Sequence, residues 1–486
     1  MQEEIGLTAV KERAIKGVVT LTGRTFLLQI ISFFGFFLLS VFLKRAEMGL
    51  FFAVSELVAI LGYFSDIGLA AALIQKKEKP KLADVRSTFT IQQILVLILV
   101  VLVFILTPWL RRFYNINQPG VFLLWALTTG FFLASLKTIP SVLLERKLRF
   151  DLLVIVEIIE NLLFYGIAII LAWKGFGVSS YAWAILIRGI VGTILIYFLS
   201  PWKIGFAFEF TSLRNLLKFG LPYQTNSFLA VIKDRLMNVF LWKIIGATGV
   251  GIIGWAQKWA QMPLRFVMDS VMKVTFPAYS RMQDHKEELS LAVEKTLFFI
   301  SLFVFPMLTG IIILARPLVS LIPRYAKWET ALFAFYLFCF NSAWGAVTTP
   351  LTNVLSAVGK IKIVFKLMIM WTTLTWIIFP VLAIKFGYNG VAAAAALVSI
   401  SSIVAVAMAK KEVKFRFVSS IARPIIGSIV MGGLIFLLSQ FLAKNIFGII
   451  FLVLFGGGIY FGLIYLMIGK QFIADVKKLF HVVKAR

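Results

Sequence analysis

LAVIKDRLMNVFLWKIIG, residues 229–246, sets Lys233, Asp234 and Arg235 side by side inside a run that is otherwise apolar. On insertion scales each such group costs about 2.5–3.5 kcal/mol at a bilayer centre, so three in a row demand partners or a wet surface. Whether the run is a membrane span is decided by the chain around it. Of the 486 residues 60% are hydrophobic, and the mean hydropathy is +0.94. A soluble core cannot absorb that much apolar surface, so the chain reads as an integral membrane protein.

Composition also removes several classes of function. Cys339 is the one cysteine, which rules out an intrachain disulfide, and His285 and His481 have no metal-ligand neighbourhood at zinc spacing. No cofactor or metal is expected. The formal charge of +27 would raise the question of nucleic acid in a soluble protein. Here the basic residues fall mostly in short breaks between apolar runs, where they orient a membrane protein, and no nucleic-acid partner is expected. The charged start, MQEEIGLTAVKERAIKG, leads into an apolar stretch too long for a secretory signal, which reads as an uncleaved first span.

Apolar runs of spanning length fall at 17–43, 47–74, 87–107, 120–143, 152–173, 179–200, 216–245, 249–277, 292–315, 330–355, 361–384, 389–409, 420–443 and 446–468. The fold class is therefore an all-α polytopic membrane protein of about 14 transmembrane helices. Alternate gaps hold little positive charge, with Lys174, Lys243, Lys385 and Lys444 each alone. The others carry KKEKPK (76–81), ERKLRF (145–150), KKEVKFR (410–416) and a basic tail, which places both termini in the cytoplasm. Internal similarity divides the chain into an N-lobe of six spans (1–200), a C-lobe of six spans (201–415), and two further spans with the tail (416–486). Each lobe opens with a long helix, a short outer turn containing glycine (Gly49, Gly251), and a second helix carrying ionisable residues. With an even number of spans each, the lobes share orientation.

On the run that begins at Gly249, Lys258, Arg265, Asp269 and Lys273 fall within about an 80° arc of one helix, a polar stripe through the bilayer. On the preceding helix Gln224, Ser227, Arg235 and Asn238 share a face with Asp234 at its edge, while Lys233 points away and either snorkels or pairs across helices. The first half adds Arg24, Glu56, Asp66, Glu157, Glu160 and Arg188. Such groups line a central watery cavity or lock helices together as ion pairs; the second reading suits Glu157 and Glu160 better, the first suits Arg235, Lys258 and Arg265. Cations that face one another repel until an anion enters, and Arg suits the forked oxygens of phosphate. Trp255, Trp259 and Tyr223 lie near the stripe and could stack on sugars or simply pack helices. Gly249, Gly251 and Gly254 spell G-x-G-x-x-G, but no strand precedes them, so they read as a tight turn and close helix packing. There is no nucleotide-binding lysine loop, so no ATPase is visible.

Taken together, these stretches resemble the oligosaccharide flippases, or polysaccharide biosynthesis exporters, of the multidrug/oligosaccharidyl-lipid/polysaccharide superfamily. The resemblance rests on MGLFFAVSELVAILGYFSDIGLAAALIQ (48–75), LLERKLRFDLLVIVEI (143–158), KDRLMNVFLWKIIGATGVGIIGWAQKWAQMPLRFVMDSVMKVTFPAYSRMQ (233–283), AVGKIK (357–362) and FGYNGVAAA (386–394). Ile253, where a Tyr is common, and the turn at Arg45-Ala46, without the usual Pro, depart from the pattern. The resemblance implies two six-helix lobes that rock between inward-open and outward-open states and carry a polyprenyl-linked oligosaccharide to the outer leaflet, with the last two helices forming a groove for its lipid tail.

The expectation is a transporter in the cell membrane, not an enzyme. Arg24, Arg235, Lys258, Arg265 and Lys273 receive the pyrophosphate of the lipid-linked oligosaccharide, and Asp66, Asp234, Asp269 and Glu56 are candidates for coupling to H+ or Na+. Expected partners are that substrate, membrane lipids, a polysaccharide polymerase and glycosyltransferases; the chain itself is expected to be a monomer. Two rivals stand beside this. A multidrug or metabolite exporter would favour a carboxylate-rich cavity. A membrane-embedded polymerase or glycosyltransferase would need catalytic acids outside, where Glu47 and Glu329 are the only ones.

Overall fold

Two helices are too long to be single spans, and glycine breaks both. Val231–Asp269, at 1.5 Å per residue, would reach about 58 Å, nearly twice the roughly 30 Å of a bilayer core. Gly246, at φ 67°, interrupts it, and Gly387, at φ 59°, interrupts the still longer Ile361–Glu412. A side chain would strain both turns. Among the described residues twelve segments are long and apolar enough to cross a membrane; dividing these two at their glycines gives the fourteen spans expected from hydropathy. The computed structural model describes residues 7–65, 68–76, 78, 80–209 and 231–469, with side chains from residue 23 onward except 64, 270 and 273. Among these residues every regular element is helical.

The chain forms two compact units, Met1–Gly251 and Ile252–Arg486. The first holds α1 (Leu7–Phe42), α2 (Arg45–Ser65), α3 (Leu69–Gln75), α4 (Leu82–Tyr114), α5 (Gln118–Leu136), α6 (Thr138–Arg146), α7 (Phe150–Trp173) and α8 (Ser179–Leu199). A π-helical turn, Val231–Leu236, then leads into α9 (Met237–Arg281). Helix α7 packs against α1 and α8, and α5 packs against α8, α2 and α4. Short turns are closed by side-chain caps: Glu47 accepts from the Lys44 N–H at 2.7 Å, and Asn117 accepts from the Gly120 N–H at 3.0 Å.

Gly49 on α2 and Gly251 on α9 meet backbone to backbone. A Cβ on Gly251 would sit 3.0 Å from the Gly49 nitrogen and overlap the Arg45 carbonyl oxygen; one on Gly49 would overlap that of Ala247. Gly49 and Gly251, expected in the outer turns, lie instead within helix, the break before Gly251 falling at Gly246, and the two share one crossing, where small residues let helices approach closely.

The second unit continues α9 and adds α10 (Lys286–Leu321), a 3₁₀ turn (Ala326–Ala331), α11 (Leu332–Ala357), α12 (Ile361–Ile400), α13 (Ile403–Glu412), α14 (Phe417–Leu442) and α15 (Ile446–Ile468). Helix α10 is its hub, packed against α11, α14 and α15. One apolar cluster joins α9, α10, α11 and α13 through Tyr279, Leu297, Leu351 and Ala405; another joins α10 to α14 and α15 through Leu302, Met431 and Leu452. Large apolar side chains such as Ile105, Phe198 and Leu466 point outward in both units, as befits helices solvated by acyl chains.

Candidate functional site

The Lys233-Asp234-Arg235 triplet lies on the π turn, a winding that recurs at functional sites because it adds a residue to the turn and shifts the side chains around it. Helix α2 packs against this turn, and Arg235 Nη1 donates to Glu56 Oε2 at 3.2 Å. Lys233 Nζ lies 3.0 Å from its neighbour Asp234. Both cations therefore have a carboxylate, and the Arg235–Glu56 pair remains partly exposed.

Helix α7 carries a second set of charges. Glu157 and Glu160, three residues apart, share a face. Glu157 is ion-paired with Arg24 of α1, again partly exposed. Glu160 is buried and takes two cations: Lys137 Nζ, from the α5–α6 junction, at 2.5 Å, and Arg188 Nε of α8 at 3.9 Å. Arg188 also lies 5.6 Å above the Phe164 ring. Gly192 makes the space, since a Cβ there would overlap the Glu160 carboxylate. Lys137 was absent from the expected set, although a lone lysine inside the apolar run 120–143 was its signal.

In the second unit Lys258, Arg265 and Asp269 stand exposed on one side of α9, while Ala256, Ala260, Pro263 and Met268 are buried on the other. At 100° per residue the three charges fall within about 40°, and Lys258 and Arg265 are about 10 Å apart along the axis. Arg265 Nη2 donates to Gln261 Oε1 at 3.1 Å. The stripe thus turns away from the apolar core of its own unit. Trp255 is no platform for a sugar: it is 3% exposed, stacked on Trp328 at 5.1 Å, with its indole N–H donated to the Tyr325 hydroxyl at 3.0 Å. The Lys273 side chain and residues Asp66, Tyr223, Gln224 and Ser227 lie outside the described residues.

Several basic residues read as orientation signals also hold structure. Arg146 donates to the carbonyls of Leu73, Ile74, Lys76 and Glu78, which closes the end of α3 and the loop after it. Lys76 pairs with Asp84 at 2.7 Å, Lys360 with Glu412 at 2.8 Å, and Arg416 with Glu294 at 3.3 Å. Among the described residues no three His, Cys, Asp or Glu side chains converge as metal ligands.

The family described as polysaccharide biosynthesis protein matches residues 38–331, more than half of the chain. The chain belongs to the polysaccharide biosynthesis protein family. This polysaccharide biosynthesis protein is 23% identical over 338 residues to the lipopolysaccharide biosynthesis protein WzxC of Escherichia coli (strain K12). That match covers 68% of the chain and 66% of WzxC, slightly under two thirds of the relative's length. Among solved structures, the lipid II flippase MurJ in an inward closed conformation shares its fold at a TM-score of 0.75, with 16% identity, over 93% of this chain and 99% of that one. An inward-facing multidrug resistance MATE family transporter of the MOP superfamily aligns at 0.56, with 19% identity, over 81% and 97%. The resemblance to the polysaccharide biosynthesis family read from the motifs is borne out, and the fold is one shared with the lipid II flippase and the MATE transporter. Glu56, Lys137, Glu157, Glu160, Arg235, Lys258, Arg265 and Asp269 lie inside the family-matched stretch; Arg24 precedes it.

Proposed function

We propose that the protein carries a polyprenyl-diphosphate-linked oligosaccharide from the cytoplasmic to the outer leaflet of the cell membrane, by alternating exposure of one binding site to the two faces. The family name, the biosynthetic name of WzxC and the flippase name of MurJ support the substrate class. The observation that carries the reading is the exposed stripe on α9, where Lys258 and Arg265 outnumber Asp269 on a helix that spans the membrane. Charges on a lipid-embedded helix belong against water or a polar ligand, and a cationic excess selects an anion. Lys258 and Arg265, with Lys273, receive the diphosphate; Arg235 and Arg24, each paired with a carboxylate, are the candidates for it in the first unit. Glu56, Asp234, Asp269 and Asp66 are the groups through which H+ or Na+ resets the empty carrier. The protein acts as a monomer with both termini in the cytoplasm, alongside the glycosyltransferases that build the substrate and the polymerase that consumes it.

The test is transport of a lipid-diphosphate oligosaccharide in proteoliposomes by Arg265→Ala, Arg265→Lys and Lys258→Ala. The expected result is loss of binding and flux in both Ala variants, with partial retention in Arg265→Lys. Variants that fold and translocate at the unsubstituted rate overturn the anion site. A multidrug exporter, the reading suggested by the likeness to the MATE fold, fits poorly with cations in excess on the stripe.

A further inference from the structure

The linker after α8 is a strap with its side chains inside out. Residues 201–209 form no regular element: a tight turn closes where the Ile204 N–H donates to the Trp202 carbonyl at 3.0 Å, and the stretch is tied along the first turns of α4 by hydrogen bonds. The Ala207 N–H donates to Thr90 Oγ1 at 3.1 Å, the Glu209 N–H to Ser87 Oγ at 3.1 Å, and Arg86 Nε to the Lys203 carbonyl at 3.4 Å. From Ile204 to Phe208 exposed and half-buried residues alternate. Trp202, before the turn, packs on Phe89 at 5.2 Å, but after the turn the half-buried positions are small: a Cβ on Gly205 would fall 2.6 Å from the Arg86 guanidinium, and Ala207 is the other. The outer positions are large and apolar: Ile204, Phe206 and Phe208 are 56%, 75% and 68% exposed. A strap built for water would have the opposite alternation, with polar residues outward and apolar ones packed on the helix.

We propose that this strap is an interfacial anchor, with Ile204, Phe206 and Phe208 inserted at the boundary between headgroups and acyl chains of the adjoining leaflet. Its depth follows from α4. Thirty-three residues make about 50 Å of helix, so a core of about 30 Å leaves about 10 Å, or six to seven residues, beyond it at each end. Arg86 to Thr90, where the strap is tied, fall at that boundary. Leu82 on α4 and Phe198 on α8, at the ends that flank the strap, are exposed as well. Lys203, exposed beside the aromatic residues, suits lipid phosphate. Exposed aromatic and aliphatic side chains with a basic neighbour are the chemistry of a peptide lying in the interface plane.

The experiment uses the full chain in vesicles of phosphatidylethanolamine and phosphatidylglycerol. Cys339, the single and buried cysteine, is first replaced by Ala, and nitroxides are placed singly at 204, 206 and 208. Lipid-soluble oxygen is expected to relax all three labels more than a water-soluble nickel complex does. The unlabelled wild-type chain, irradiated with a lipid whose diazirine sits near the headgroup, is expected to carry adducts on Phe206 and Phe208. Labels relaxed more by nickel, with no adducts, would show a strap in water and overturn the proposal. Labels shielded from both reagents, again without adducts, would show cover by a second copy or another protein and overturn it equally.

Discussion

The buried pair Lys137–Glu160 offers the sharpest test of how the first unit is held together. Glu160→Gln keeps the shape that Gly192 accommodates and removes only the charge. At an effective dielectric of about 20, Coulomb's law gives an attraction of about 7 kcal/mol to Lys137 at 2.5 Å and about 4 kcal/mol to Arg188 at 3.9 Å. Part of this is offset by the several kcal/mol spent in desolvating the carboxylate, and the half-exposed Arg188 can turn toward water. The net loss expected is about 3–5 kcal/mol, the range for leaving one partner of a buried pair behind. Lys137→Met should cost less, about 2 kcal/mol, because Arg188 remains beside the carboxylate. The double variant should fall short of the sum of the singles by about 2 kcal/mol. The assay is thermal unfolding of the purified protein in detergent. If the first unit of 251 residues melts as one body, its unfolding entropy is about 0.5 kcal/mol per kelvin, so Glu160→Gln should lower Tm by about 6–10 °C. A shift under about 1 °C, or strict additivity of the two substitutions, would refute the reasoning that these charges lock α5, α7 and α8.

Three further outcomes follow from packing. Gly251→Ala and Gly49→Ala each place a Cβ on fixed backbone and should destabilise by at least about 3 kcal/mol, seen as a lower Tm and a smaller monodisperse yield; tolerance of both would mean that the helices do not cross so closely. Trp255→Ala should cost about 3–5 kcal/mol of stability while folded Trp255→Phe binds the proposed lipid-diphosphate substrate normally; a selective loss of binding in Trp255→Phe would place the indole at the substrate after all. Arg146→Ala, which removes four charge-assisted bonds to carbonyls, should speed amide hydrogen exchange in residues 69–78 at least tenfold, a local cost of about 1.4 kcal/mol or more, and unchanged exchange would show that the clamp is idle.

Periodicity and charge read well wherever the physics is local. The span count survives because an apolar run of bilayer length has one stable outcome in lipid, and Gly246 and Gly387 mark the two places where such runs turn. The shared face of Lys258, Arg265 and Asp269 likewise follows from helical geometry alone. Pairing did not follow. Arg235 and Glu56 are 179 positions apart, and Lys137 and Glu160 are 23 apart across a helix junction, so nothing in their spacing joins them. Lys137 in particular looks in sequence like a blemish in an apolar span.

By itself, then, the sequence determined the all-helical membrane class, the number of spans, the polar stripe on α9 and the family. Each of these depends on residues within a few helical turns of one another or on ordered motifs along the chain. Only the tertiary structure decided which cations already have a carboxylate, that Trp255 is locked in an aromatic stack, that Gly49 and Gly251 share a crossing, and that the strap after α8 faces its large residues outward. Those outcomes rest on contacts between distant segments, whose energies exist only once the helices have met.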